Sequence, residues 1–269
     1  MIEVRALTKR YGNFAAIENI SFRIQPGEVV GLLGPNGAGK TTTMRILAGF
    51  MPPTSGSVRI KGFDILEQWR EAKKNIGYLP ENPPLYPELT IEESLSFVAG
   101  LRGIPSKKRR ERIEWVLEKT GTAIFRKRLV GNISKGFKQR VGIAQSLLDD
   151  PPFLVLDEPT IGLDPKQILE IRELIAGLKG ERAILLSSHI LQEISLICSR
   201  VIIIHQGKIV ADGKISDLTE GLQKKKFLVT VSGAADSIRP QIENIPGVED
   251  VSNYVSNLED LFMQMTGGR

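Results

Sequence analysis

Residues 28–42 read Glu28-Val29-Val30-Gly31-Leu32-Leu33-Gly34-Pro35-Asn36-Gly37-Ala38-Gly39-Lys40-Thr41-Thr42, an apolar run, a glycine-rich turn, then a lysine and hydroxyls. The apolar part, Glu28 to Leu33, predicts a buried strand. Downstream, Met44, Ile46 and Leu47 share one side of a helix that starts near Lys40. Between them, Gly34 to Thr41 matches the pattern GxxxxGK[ST] of a phosphate-binding loop. Glycines let the backbone wrap closely around phosphates in conformations that a Cβ would obstruct. The loop N–H groups and the helix N-terminus then face the negative charge. In such a loop Lys40 bridges the β- and γ-phosphates of a nucleotide, and the Thr41 hydroxyl ligates Mg²⁺. A strand before the loop and a helix after it are the context this chemistry requires.

A second run, Phe153-Leu154-Val155-Leu156-Asp157-Glu158, is an apolar strand ending in two acids. Strand C-terminal ends in a parallel sheet converge on the ligand crevice, so both acids are expected to face the phosphate loop. Asp157 is suited to hold Mg²⁺, directly or through water. Glu158 is suited to accept a proton from the water that attacks the γ-phosphate. Two acids ahead of Pro159 can also simply cap a loop; the phosphate loop upstream is what favours the catalytic reading.

Around these two runs the chain alternates. IEVRALTK and NISFRIQPGE predict two opening antiparallel strands, with a turn at Pro26-Gly27. SVRIKG and Asn75 to Pro80 predict further strands, the latter ending in PENPPLYPELT. Helical periodicity then covers Ile91 to Leu101 and Lys107 to Thr120, and a third helix follows Ser134. This makes an inserted helical subdomain of about residues 90–150. Strand–helix alternation returns with Phe153 to Leu156, Lys166 to Leu178, Ala183 to Ser187, a short helix, and Val201 to Ile204. The expected fold is α/β: a mainly parallel sheet covered on both faces, with an N-terminal antiparallel β subdomain and the helical insertion. Past Asp217 the pattern weakens. Lys224-Lys225-Lys226 marks a linker, followed by a strand (Phe227 to Val231), a helix (around Ile238 to Ile242), a strand near Val248 and a helix from Leu258 to Met265. These divide the chain into residues 1–221 and a small α+β appendage, 222–269.

The 269 residues are 41% apolar and 25% charged, ordinary for a globular protein, with a formal net charge of +5. That balance suits an anionic partner without choosing among nucleotide, nucleic acid and lipid surface. One cysteine, Cys198, excludes an intramolecular disulfide and a cysteine-only zinc site, and fits a reducing compartment. MIEVRALTKRYG has no apolar core and does not read as a secretory signal. No stretch approaches the roughly 18–20 apolar residues of a membrane span, so the chain is not expected to form a channel or pore itself.

With these residues in place, the sequence resembles the ATP-binding subunit of a bacterial ABC transporter over about residues 1–220. The family's further motifs appear in order. Ile133-Ser134-Lys135-Gly136-Phe137 stands where the signature motif belongs. Ile161-Gly162-Leu163-Asp164-Pro165 looks like the D-loop, and Ser187-Ser188-His189 like the switch-histidine segment. The resemblance implies a P-loop NTPase core that binds and hydrolyses Mg-ATP. It implies ATP contacts from Tyr11, stacking on adenine, from Gly34, Pro35, Asn36, Gly37, Ala38, Gly39, Lys40, Thr41 and Thr42, and from Ser134 and Gly136. Metal contacts would come from Thr41, Glu81 and Asp157, with Glu158 and His189 as the catalytic pair. Ser134 and Gly136, at a helix start, form a second anion site that closes over the ATP of the opposite protomer. The implied assembly is a head-to-tail homodimer, or a pair with a related ATPase subunit, sandwiching two ATP. It would drive a separate multi-span membrane subunit from the cytoplasmic face of the cell membrane, in an exporter, with no direct nucleic acid contact.

Three positions depart from the family pattern. Lys135 replaces a glycine of the common signature, Phe137 replaces its glutamine, and Glu81 stands where the Q-loop glutamine belongs. These changes resemble a branch that pairs with separate membrane subunits, often for export. Lys135 is expected to add positive charge near the facing phosphate. The alternative function is a soluble ABC-type ATPase acting on nucleic acid or the ribosome. Lys107-Lys108-Arg109-Arg110 and Lys224-Lys225-Lys226 lend it some support, although such runs also read as solvated surface. Ribosome-acting relatives resemble two fused cassettes, and chromosome types carry long coiled coils; neither feature is in this sequence. His205, within VIIIHQGKIV, and Cys198 read as packed residues without a chemical role.

Overall fold

The computed structural model describes residues 1–180, 182–220, 242 and 245. The chain divides into two units, Met1–Lys214 and Ile215–Arg269. The first opens with β1 (Ile2–Tyr11) and β2 (Phe14–Ile24), an antiparallel pair. β3 (Val29–Leu33), buried along its whole length, runs through the glycine-rich turn into α1 (Lys40–Leu47). β4 (Ser55–Ile60) pairs back onto β1, and the two-residue β5 (Phe63–Asp64) completes an antiparallel sheet of order β2-β1-β4-β5.

α2 (Trp69–Lys74) and β6 (Ile76–Leu79) follow, then three helices: α3 (Ile91–Leu101), α4 (Ser106–Lys119) and α5 (Lys135–Leu147). β7 (Phe153–Leu156), α6 (Pro165–Ala176), β8 (Ala183–Ser188), α7 (Leu191–Ile197), β9 (Arg200–His205) and β10 (Lys208–Lys214) restore the alternation. The second sheet has the order β10-β9-β3-β8-β7-β6 and is parallel except for the edge strand β10. In the second unit the described backbone forms α8 (Ile215–Glu220). The predicted strand Phe227 to Val231, helix around Ile238 to Ile242, strand near Val248 and helix Leu258 to Met265 lie, but for Ile242, outside the described residues.

Side chains alternate across a strand, so each buried strand feeds two cores. On one face of the parallel sheet, Val30, Leu32, Val155, Leu185, Ile202 and Ile204 join Met44, Ile46 and Leu47 of α1 and the inner face of the antiparallel sheet. Each such side chain, fully buried, contributes about 1.5–3 kcal/mol of transfer free energy. On the other face α7 sits directly on β3: a Cβ at Gly31 would lie 2.6 Å from Ile194 Cγ2. This double coverage is why these strands read as continuous apolar runs.

The inserted helices are tied locally. Thr90 caps α3 and exchanges bonds with Glu93: Thr90 N–H donates to the Glu93 carboxylate at 2.8 Å, and Glu93 N–H donates to the Thr90 hydroxyl at 3.2 Å. Those bonds hold the Glu93 carboxyl below its ordinary value. Arg126 spans Glu92 on α3 and Glu114 on α4 at 2.8 and 2.6 Å. Among the described residues no helix is long and apolar enough to cross a membrane. Cys198 is buried, and burial pushes its thiol up to about 12. Among the described residues, β5, α2 and α8 were not expected from the sequence. β5 is only two residues long, and α2, WREAKK, buries only Ala72, so neither shows a period to detect.

Candidate functional site

The glycine-rich turn is shaped by backbone that only glycine adopts easily. Gly37 and Gly39 have φ of +79° and +106°, and Gly39 is the residue from which α1 starts. Gly34 is glycine for a different reason: a Cβ there would fall 2.3 Å from the Ile204 carbonyl oxygen. Lys40, almost fully buried, donates from Nζ to the carbonyls of Gly34 at 2.7 Å and Pro35 at 3.3 Å. Its ammonium also lies 3.5 Å from Glu158 Oε1, a pair buried on both sides.

The two acids follow β7 as the parallel topology requires. The Asp157 N–H donates to the Leu79 carbonyl, which fixes the loop end of β7 beside β6. Asp157 Oδ1 accepts from Ser187 Oγ at 2.7 Å and from Thr41 Oγ1 at 3.4 Å. Its Oδ2 is buried with no hydrogen-bond partner among the described residues. Burial pushes this carboxyl above its ordinary value, against the pull of the Ser187 and Thr41 hydroxyls, and the charges of Glu158 and Glu81 push it the same way. An orphaned buried carboxylate oxygen beside a threonine hydroxyl and further acids is a donor set of the hard-oxygen kind that Mg²⁺ prefers. The residues therefore fit the metal.

Glu158 sits at φ +48°, a left-handed conformation uncommon for a side-chain-bearing residue. Its N–H donates to Ser187 Oγ at 2.8 Å, which holds the bend. One carboxylate oxygen faces Lys40; the other, Oε2, lies 2.9 Å from His189 Nδ1. A carboxylate only accepts, so this contact places an imidazole hydrogen on Nδ1.

A cavity of about 570 Å³ opens above these groups. Tyr11, Asn36, Gly37, Ala38, Gly39, Lys40, Thr41, Thr42, Glu81, Glu158 and His189 line it, together with Phe14, Ala16 and Ile161. Tyr11 is half exposed, and its hydroxyl donates to Met51 Sδ at 3.2 Å. Gly34 and Pro35 support the cavity through Lys40, and Asp157 lies beneath it beside Thr41.

Ser134 and Gly136 do not line this cavity. Ser134 caps α5, its hydroxyl accepting from Phe137 N–H at 3.3 Å. Gly136 is pressed by α6: a Cβ there would meet Gln167 at 2.6 Å. The departures find local partners too. Lys135 Nζ reaches over Gly162, 2.3 Å from where a Cβ would sit, and Phe137 packs edge-on against Phe125 at 4.7 Å. α5 also presses on the segment that leads to Glu81, because a Cβ at Gly142 would meet Leu79 at 2.6 Å and Pro83 at 2.9 Å.

The sequence reading missed Ser187, which clamps both Asp157 and the Glu158 backbone, and it missed Phe14 and Ile161 on the cavity wall. The sequence placed Ser187 only within the Ser187-Ser188-His189 segment, two residues before His189, with no role of its own. Phe14 gave no signal, since one aromatic residue at a strand start is common.

The chain is similar to several known proteins. The family model described as ABC transporter matches residues 17–161. The bacitracin transport ATP-binding protein BcrA of Bacillus licheniformis is 44% identical over 230 residues, 85% of this chain and 74% of BcrA. A solved structure of an ATP-binding subunit of an ABC transporter superposes with a TM-score of 0.77 at 29% identity, covering 98% of this chain and 99% of that one. The dimeric ATP-binding cassette MJ0796, in a post-hydrolysis state bound to ADP and Pi, matches with a TM-score of 0.71 at 26% identity, over 80% of this chain and 98% of its own.

Proposed function

The chain belongs to the ATP-binding subunits of ABC transporters, and from that premise we propose which of its residues carry the chemistry and what it drives. It is an ATP-binding and ATP-hydrolysing motor subunit. The observation that supports the catalytic assignment is the meeting of Lys40, Glu158 and His189 on the wall of one cavity.

Tyr11 stacks on the adenine, and residues 34–42 wrap the phosphates with backbone N–H groups. Lys40 turns its ammonium to the β- and γ-phosphates. Thr41, Asp157 and Glu81 hold Mg²⁺, which when bound neutralises charge on the phosphate oxygens. Glu158 takes the proton from the attacking water. His189 orients the Glu158 carboxylate through Nδ1–H, and a contact at the γ-phosphate side requires Nε2 to donate, since phosphate oxygens only accept. Ser134 and Gly136, at the start of α5, close on the ATP of the facing protomer. This accounts for their place outside the cavity of their own chain.

Glu81 replaces a neutral side chain of the family with a charge next to Asp157. Glu81→Gln is expected to keep ATP affinity within about tenfold, roughly 1.4 kcal/mol, while changing turnover or its preference between Mg²⁺ and Mn²⁺. Phosphate release across titrations of both metals checks this; identical kinetics remove Glu81 from the metal site.

The partner is a separate multi-span membrane subunit of an exporter, and this chain sits peripherally on it at the cytoplasmic face. Its docking surface spans the proline-rich segment and helices of about residues 81–120, where Tyr86 and Phe97 stack edge-on and half exposed. Exposed Phe50, Leu66 and Trp69 line a hollow of about 250 Å³ elsewhere in the first unit. Affinity capture of the chain from gently solubilised native membranes tests the assignment. A stoichiometric multi-span protein is expected; recovery only with ribosomes, DNA or soluble proteins overturns it.

A further inference from the structure

Glu193 is a carboxylate in a place that costs free energy. It lies in the first turn of α7 and is only 7% exposed. Burying such a group is unfavourable unless hydrogen bonds satisfy it. Here two hydroxyls do so at a single oxygen. Thr160 Oγ1 donates to Glu193 Oε2 at 2.5 Å, and Ser188 Oγ donates to the same atom at 3.2 Å. Ser188 Oγ in turn accepts the Ile190 N–H at 3.0 Å.

The positions of the two donors give the arrangement its meaning. Thr160 stands two residues beyond Glu158, and the loop between them is closed by the Ile161 N–H on the Glu158 carbonyl at 3.2 Å. Ser188 immediately precedes His189. Glu193 therefore joins the loop after β7 to the C-terminal end of β8, through residues that do not line the cavity. On the cavity wall the same two segments meet through the Glu158–His189 contact at 2.9 Å. A second tie exists one residue earlier, where Ser187 bonds the Glu158 N–H.

We propose that Glu193 is a positioning residue for ATP hydrolysis, which sets the spacing between Glu158 and His189 by anchoring Thr160 and Ser188 to one carboxylate oxygen. The inference rests on the reading of Glu158 and His189 as the catalytic pair. Glu193 touches neither nucleotide nor attacking water; it acts through loop geometry, and errors of about 1 Å in such geometry cost up to about a hundredfold in rate.

The test uses the purified full chain, with steady-state phosphate release for kcat and KM and trinitrophenyl-ATP fluorescence for nucleotide affinity. Glu193→Ala is expected to lower kcat by about 10- to 100-fold while KM and nucleotide affinity stay within about threefold. Glu193→Gln keeps an oxygen that accepts from both hydroxyls, and kcat is expected to return to within about threefold of the parent. A Glu193→Ala kcat within twofold of the parent overturns the proposal. So does a loss shared equally by kcat and affinity, or a Gln variant as impaired as the Ala variant, since either marks a general structural role. If Glu193→Ala does not fold, Thr160→Val removes one donor at nearly constant volume, and an unchanged kcat there also overturns it. Glu158→Gln run alongside separates the two levels. If that variant turns over normally, the site assignment fails; if it is inactive while Glu193→Ala is fully active, only the positioning role fails.

Discussion

Glu158→Gln abolishes multiple turnover and leaves an ATP-bound dimer trapped: that is the expected result of the single substitution with the greatest effect on function. Glutamine preserves the side-chain length, and its carbonyl still accepts from His189 Nδ1, 2.9 Å from the present carboxylate. It loses the capacity to take a proton and the charge that faces Lys40 at 3.5 Å. General-base catalysis contributes about 10²- to 10⁴-fold, so kcat is expected to fall at least about a hundredfold. The proposed binding contacts, from the backbone of residues 34–39, from Lys40 and from Tyr11, are unchanged, so ATP affinity is expected to stay close to that of the parent. Light scattering with Mg-ATP reads the dimer and phosphate release reads the turnover. A variant that remains monomeric with ATP demonstrably bound counts against the two-ATP sandwich, and turnover within tenfold of the parent excludes Glu158 as the base.

The largest effect on stability is expected from Gly34→Ala. The added Cβ would meet the Ile204 carbonyl at 2.3 Å, with Ile204 Cγ2 at 3.0 Å and the Ala38 Cβ at 3.1 Å. The first of these is backbone, on a strand flanked by β3 and β10 and unable to retreat. Either β9 shifts or the loop lifts away from the sheet. Overpacking of this kind costs about 3 kcal/mol. A lifted loop also moves the Gly34 carbonyl, which receives Lys40 at 2.7 Å, and nucleotide affinity is expected to fall by more than tenfold. Gly37→Ala is the control: nothing lies within 4 Å of its Cβ, leaving only the strain of its φ of +79°, worth roughly 1 kcal/mol. Thermal melts and trinitrophenyl-ATP titrations of both variants check the contrast, and equal effects at the two positions contradict it.

Much of this molecule is legible in its sequence because its central strands are buried on both faces. Val29–Leu33, Phe153–Leu156 and the Val201 to Ile204 stretch of β9 could be read directly as apolar runs, and the parallel order places their loops together. Six-residue α2 and two-residue β5 escaped notice because they bury too little to impose a pattern. The cavity wall was legible where a motif demanded a residue type, as at Lys40, Glu158 and His189. Its support was not. Ser187, Thr160, Ser188 and Glu193 are ordinary residues in ordinary company, and only tertiary folding brings hydroxyls from two segments onto one carboxylate. Sequence marks the candidate groups; the hydrogen bonds behind them belong to the fold.

β3, β8 and β7 lie side by side in the parallel sheet, and Lys40, His189 and Glu158 follow from their ends. Neighbouring strands are about 4.8 Å apart by hydrogen-bond geometry alone. The gauge of the reaction centre is thus set by the backbone ladder, which tolerates wide drift in amino-acid identity. The outward faces, such as the aromatic surface at Tyr86 and Phe97, lie outside that ladder and carry no such constraint from it.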